Sequence, residues 1–130
     1  MSSIPDDLQY TRTHEWVRRL PGGEVDIGIT DHAQHALGDL VFVELPAVGR
    51  TLSRGEPCAV VESVKAASDV LSPLGGIVLA GNSELAGRPE LINQEPYGAG
   101  WLARLQPSGE GAGVLLSARE YAAFLAREAL

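Results

Sequence analysis

Short apolar stretches that alternate with polar residues, each bounded by glycine or proline, run from the start of the chain to about Leu105. Tyr10-Thr11-Arg12-Thr13-His14-Glu15-Trp16-Val17-Arg18 has the two-residue period of a strand, with Trp16 directed to one face and Glu15 to the other. Pro21-Gly22-Gly23 marks a turn, and Val25-Asp26-Ile27-Gly28-Ile29 alternates again, so the pair predicts a hairpin. The period then changes. Thr30 is placed to cap a short helix over Asp31 to Leu37, with Asp31 in its first turn and Gly38 just past its end. Asp39-Leu40-Val41-Phe42-Val43-Glu44-Leu45 is nearly continuous in apolar character and predicts a core strand ended by Pro46. Gly49 and Gly55 mark further turns.

Two strand-forming runs follow, Pro57 to Val64 and Val70-Leu71, with small residues Ala66-Ala67-Ser68 between them. Pro73-Leu74-Gly75-Gly76 predicts a turn and Ile77-Val78-Leu79-Ala80 a strand. Ser83 to Gly100 is broken by Pro89, Pro96 and glycines, which predicts loop with short helical pieces near Glu84-Leu85 and Pro89 to Ile92. Trp101 to Leu105 predicts a closing strand, and the glycine-rich Ser108 to Gly113 a flexible linker. The last segment has the clearest local signal. Ser117 with Glu120 forms a capping box, Leu116 with Tyr121 a hydrophobic staple, and Tyr121, Phe124, Leu125 and Glu128 trace a terminal helix over about 117–129 with one apolar face for the sheet. The elements add up to a mainly β domain, a sandwich or flattened barrel with short peripheral helices.

At 130 residues the chain is long enough for one domain, 1–130, with a hydrophobic core over about 10–105 and no need of disulfides. The single Cys58, in an apolar strand, reads as a small buried hydrophobe. A net charge of -7 argues against nucleic acid or an anionic membrane as partner. No apolar run approaches a membrane span, and Met1 to Asp7 lacks the features of a signal or transit peptide, so a bacterial cytoplasmic protein is expected, with a mature mitochondrial form left open. A monomer is expected. His32 and His35, three apart on the first helix, lack a nearby cysteine or carboxylate ligand set, and surface histidines are the simpler reading.

One residue stands apart. Of the ten Lys+Arg residues, Lys65 alone is lysine. An arginine stays protonated and is no nucleophile, whereas a lysine amine can be acylated. An arginine-favouring genome would leave the same count, so the count alone leaves both readings open. The flanking strands tip the balance, because they place Lys65 near the tip of a β-turn with its amine in solvent, where a modifying enzyme can find it.

Glu62-Ser63-Val64-Lys65-Ala66, followed by Ser68-Asp69 and Ser72-Pro73 with Gly75-Gly76, resembles the lipoyl-attachment segment of the glycine cleavage system H proteins. His14-Glu15-Trp16, Gly28-Ile29-Thr30-Asp31, Gly38 to Pro46, and Asn93 to Gly98 with Gly100-Trp101-Leu102 resemble other family segments in family order. Biotin carriers usually place methionine on both sides of the lysine, where this chain has Val64 and Ala66. Leu79 to Asn82 and the linker around Gly111 depart from the family pattern.

The resemblance implies a lipoyl/biotinyl-like fold, a barrel-sandwich hybrid, and a carrier that is not itself an enzyme. Lipoate joined to Lys65 would take an aminomethyl group from glycine at a pyridoxal-phosphate glycine decarboxylase and present it to a tetrahydrofolate-dependent aminomethyltransferase. Dihydrolipoamide dehydrogenase would reoxidise the arm, and a lipoyl-attaching enzyme would recognise the turn through Glu62, Ser63, Val64 and Ala66. By position, Thr13, Glu15 and Asp69 match residues lining the cleft that shelters the loaded arm in the family. Taken without the resemblance, Glu15 reads as the solvent-facing member of an alternating strand. Three competing readings are a lipoyl relay donating lipoate to 2-oxo acid dehydrogenases, an unmodified interaction domain, and a hydrolase built on His14, His32 or His35. The last has no serine in a nucleophile elbow to support it.

Overall fold

In the computed structural model, residues 3–110 and 112–128 are described. Gly111 of the expected linker and position 129 of the expected terminal helix lie outside them. In chain order the elements are β1 (Gln9–Tyr10), β2 (Glu15–Arg19), β3 (Val25–Ile29), α1 (Asp31–Leu37), β4 (Leu40–Glu44), β5 (Thr51–Leu52), β6 (Pro57–Ser63), β7 (Ala67–Leu71), β8 (Gly76–Gly81), α2 (Leu91–Gln94), β9 (Ala103–Pro107) and α3 (Ala118–Glu128). Single 3-10 turns at Ser83–Ala86 and Ala112–Val114 join them, the second standing where a flexible linker was expected.

The strands form two antiparallel sheets. The larger has the order β1-β2-β3-β9-β8-β5 and the smaller β4-β6-β7. They do not close into a barrel, since β1 and β5 remain the edges of the larger sheet. Val17, Ile27, Val78 and Leu105 from one sheet meet Val43, Val61 and Val70 from the other in a single buried cluster, the sandwich filling expected of alternating strands. A second cluster lies where α3 returns. Tyr10, Trp16, Leu116 and Tyr121 pack together, the Tyr10 and Tyr121 rings are stacked at 4.7 Å, and Leu116 pairs with Tyr10 through reciprocal backbone bonds of 2.7 and 2.8 Å.

Local chemistry fixes the helices where the sequence places them. Thr30 accepts from Ala33 N–H at the start of α1, and Gly38 ends it at φ 85°, a left-handed conformation that suits glycine. At α3, Ser117 N–H donates to Glu120 Oε1 at 2.8 Å and Glu120 N–H to Ser117 Oγ at 3.1 Å, the reciprocal capping box.

The strands depart from expectation in three places. The first strand is two, split by a turn at Thr11–His14 in which His14 N–H donates to Thr11 O and His14 takes φ 72°. As a result Glu15 does not face solvent; it is 3% exposed. β4 is an edge strand of the smaller sheet, and a bulge between Leu40 and Phe42 breaks its alternation, leaving Val41 and Phe42 about half exposed where a core strand was expected. The closing strand begins at Ala103: Leu102 N–H still donates to Ile27 O of β3, but the carbonyls of Trp101 and Leu102 are taken by Asn82, through its Nδ2 and its backbone N–H.

Candidate functional site: the lysine hairpin and its surroundings

β6 and β7 pair from Pro57↔Leu71 to Glu62↔Ala67, and the chain reverses across Ser63 to Ala66. The reversal is held from below by Ser63. Its N–H donates to Ala66 O at 2.7 Å, and its hydroxyl accepts from Ala66 N–H at 3.1 Å, a serine standing in for a backbone turn contact. Ser63 is buried while Val64, Lys65 and Ala66 are exposed, Val64 by 84%. Among the described residues Lys65 enters no ion pair. An amine so displayed is open to an enzyme that acylates it.

The floor beside Lys65 is built by the α1–β4 connection. A Cβ at Gly38 would come within 3.6 Å of Lys65 Cε, so the lysine stem passes alongside this glycine. Asn93, at the end of α2, holds that connection in place: its Nδ2 donates to Gly38 O and to Gln34 Oε1, both at 2.9 Å, and its Oδ1 accepts from Leu40 N–H at 2.9 Å.

At the other end of β7 a cleft of about 290 Å³ is lined by Thr11, Thr13, Glu15, Arg54, Leu71 and Val114 among others. Thr11 and Thr13 hydroxyls donate to Glu15 Oε1 at 2.6 and 2.5 Å, and Leu71 N–H reaches Oε2 at 3.4 Å. Burial pushes the Glu15 pKa up, opposed by the two threonine hydroxyls and the Leu71 amide. Two hydroxyls converge on one oxygen, so the other keeps acceptor capacity for a cationic group entering the cleft.

The structure thus brings Thr13 and Glu15 together but places Asp69 elsewhere. Asp69 pairs across from Val60 on the outer face of the smaller sheet and lines a second cleft of about 340 Å³ with Glu44, Arg50 and Cys58. Cys58 is buried, and burial pushes its thiol up to about 12, which leaves it inert. His32 does not share a site with His35 either: His35 is exposed and lies 3.7 Å from Asp31, while His32 turns to His14, with ring centroids 4.5 Å apart. Thr11 and the Leu71 amide were missed at the Glu15 cleft. The 11, 13, 15 spacing was the available signal for Thr11; nothing in the sequence marks a backbone amide.

A two-sheet β sandwich that displays at a hairpin tip a lysine with no ion pair among the described residues, with a cleft around a buried carboxylate at the far end of the same strand, has the form of a carrier domain. The glycine cleavage H-protein family profile matches residues 8–128. The chain is 60% identical over 107 residues to the glycine cleavage system H protein of Alkalilimnicola ehrlichii, covering 82% of each, and 49% identical over 129 residues to that of Cronobacter sakazakii, covering 98% of this chain and all of the relative. A crystal structure of a glycine cleavage system H protein from Mycobacterium marinum superposes with a TM-score of 0.87 at 47% identity, over 95% of this chain and 99% of that one. The chain belongs to the glycine cleavage H-protein family, and the carrier role expected from the sequence follows from that membership.

Proposed function

We propose that Lys65 is the attachment residue for lipoate, and that the chain is a non-catalytic carrier for the aminomethyl group of glycine. The observation that carries this reading is the exposure of Lys65 on a serine-locked turn, with no carboxylate among the described residues paired to it. The residues fit the group: an amide-forming enzyme needs an unencumbered amine, and Gly38 leaves room along the stem. When bound, the lipoyl group would supply a dithiolane able to carry an aminomethyl unit, with the pyridoxal-phosphate glycine decarboxylase, the tetrahydrofolate-dependent aminomethyltransferase and dihydrolipoamide dehydrogenase as the partners of the arm.

The protein's own residues do three things in this proposal. Ser63 holds the turn in the shape that the lipoyl-attaching enzyme recognises, with Glu62, Val64 and Ala66 presented around the amine. The β6–β7 hairpin keeps the anchor on a stiff support, so each encounter of the tethered group with a partner is partly intramolecular. Thr13 and Glu15 with Thr11 form the receiving cleft, where the buried carboxylate holds a primary ammonium by charge-assisted hydrogen bonds and limits its contact with water.

Intact-mass measurement after incubation with lipoate and its ligase tests the attachment. One lipoyl increment is expected on the wild type and none on Lys65→Arg; an increment on that variant refutes the assignment. Glycine-dependent exchange of labelled carbon dioxide with the decarboxylase tests the pathway role, and its absence with the arm attached favours a relay of lipoate to 2-oxo acid dehydrogenases.

A further inference from the structure

His14, His32 and Glu128 come together from three separate elements: the turn before β2, the first turn of α1 and the last turn of α3. One donor atom from each lies within 4.8 Å of the others, and His14 Nε2 is 3.7 Å from Glu128 Oε1. A tetrahedral zinc ion with bonds of about 2.0–2.1 Å sets its donors about 3.3 Å apart, so small side-chain rotations close the triangle.

The surroundings of His14 favour a ligand. Its Nδ1 lies 2.8 Å from Tyr121 Oη, which is in turn 2.9 Å from Thr30 Oγ1, the cap of the helix that carries His32. With the ring proton on Nδ1 and donated to Tyr121, the Nε2 lone pair points at Glu128 and is free for a metal. This is the outer-shell arrangement that orients metal-bound histidines. Tyr121 and Glu128 lie on the same side of α3, two turns apart, so the helix that supplies the carboxylate also supplies the orienting hydroxyl. His14 is the only non-glycine residue with positive φ among those described, at 72°, a conformation that costs about 1–3 kcal/mol where it is kept. Its ring is directed away from the Glu15 cleft that its neighbours Thr13 and Glu15 line.

We propose that this triad binds a borderline divalent transition-metal ion, Zn²⁺ by its chemistry, with two imidazoles and one carboxylate as ligands and a water as the fourth. Imidazole donors exclude Mg²⁺ and Ca²⁺ in favour of Zn²⁺, Co²⁺ and their neighbours. The ion ties the end of α3 to α1 and to the turn that carries Thr13 and leads into Glu15. Its role is to clamp the terminal helix, separate from any chemistry at Lys65.

The test uses tag-free, unlipoylated full-length protein, since a reduced dithiol would itself bind zinc. Equilibrium dialysis against ZnCl₂ and absorption with Co²⁺ should show one ion per chain with the visible bands of a four-coordinate site. His32→Ala and Glu128→Gln should each weaken binding at least about 10-fold, and so should His14→Asn, in which asparagine tolerates the left-handed backbone. His35→Ala should bind as the wild type does. Thermal unfolding of each variant without metal checks that it folds, and added Zn²⁺ should raise the wild-type Tm but not that of folded His32→Ala. No bound ion, a loss in His35→Ala equal to that in His32→Ala, or an octahedral Co²⁺ spectrum would overturn the proposal.

Discussion

Ser63→Ala separates the shape of the lysine turn from the lysine itself. The hydroxyl accepts the Ala66 N–H at 3.1 Å and lies 3.2 Å from Ala66 O, while the Ser63 N–H bond to Ala66 O at 2.7 Å belongs to the backbone and survives the substitution. Ala66 is exposed, so its freed amide turns to water and the loss stays near the net value of one hydrogen bond, about 0.5–1.5 kcal/mol. That energy is confined to the four residues of the reversal. If the attaching enzyme binds the turn in the shape seen here, the ratio of formed to opened turn falls by the corresponding factor, roughly 2- to 10-fold, which sets the upper bound on the loss of competent population. The assay is kcat/KM for lipoylation followed by intact mass, beside hydrogen exchange at Ala66 and the Tm. Faster exchange at Ala66, a Tm within a few degrees of wild type and a several-fold slower ligation are expected. Ligation at the wild-type rate despite faster exchange at Ala66 would show that turn shape plays no part in recognition.

Other substitutions probe what surrounds the hairpin. Gly28→Ala would place a Cβ 2.6–2.7 Å from three atoms of the Trp16 ring, which its bond to Pro96 O holds still, so an overpacking loss of about 1–3 kcal/mol is expected, read as a Tm lower by roughly 4–15 °C; an unchanged Tm would contradict it. Asn93→Ala leaves Leu40 N–H and Gly38 C=O without their shared partner, which costs about 1–3 kcal/mol and should also slow lipoylation, as Gly38 borders the Lys65 stem. For Glu15 the sign runs against the usual carboxylate: burial raises its pKa in the folded protein above the ordinary 4.5, so the native state holds the proton more tightly than the unfolded chain does. The penalty of ionised Glu15 is absent below pH 4.5 and sets in as pH climbs through the raised pKa. Glu15→Gln should therefore gain in Tm over wild type between pH 4 and pH 7; a Tm difference that shrinks over this range would be inconsistent with a raised pKa.

What could be read from the chain was what its neighbours in sequence decide. The limits of α1 and the start of α3 rest on Thr30, Gly38, Ser117 and Glu120, each of which acts within one helical turn. The exposed lysine between two strands was legible for the same reason, because the small residues and the β-formers around it all lie within the hairpin. The burial of Glu15 was not, since it depends on a left-handed residue at His14 that resets the alternation, and histidine gives no local warning of that conformation. The exposure of Val41 and Phe42 depends on where β4 falls in the smaller sheet, an edge that hydrophobicity along a single strand cannot reveal. Asp69 was grouped with Glu15 by family position, but it lines the second cleft beside Glu44, Arg50 and Cys58, while the bond to Glu15 comes from the backbone of Leu71 two residues further along β7.

β7 is the outer strand of a three-stranded sheet, and the Leu71 amide on its rim is met by Glu15. An open rim invites a foreign strand to add to it, with self-association as the outcome. A side chain that occupies part of this rim in the folded chain also hinders fibrillar growth there, so a chain deprived of the Glu15 carboxylate would lose solubility on storage at high concentration sooner than its melting temperature would suggest.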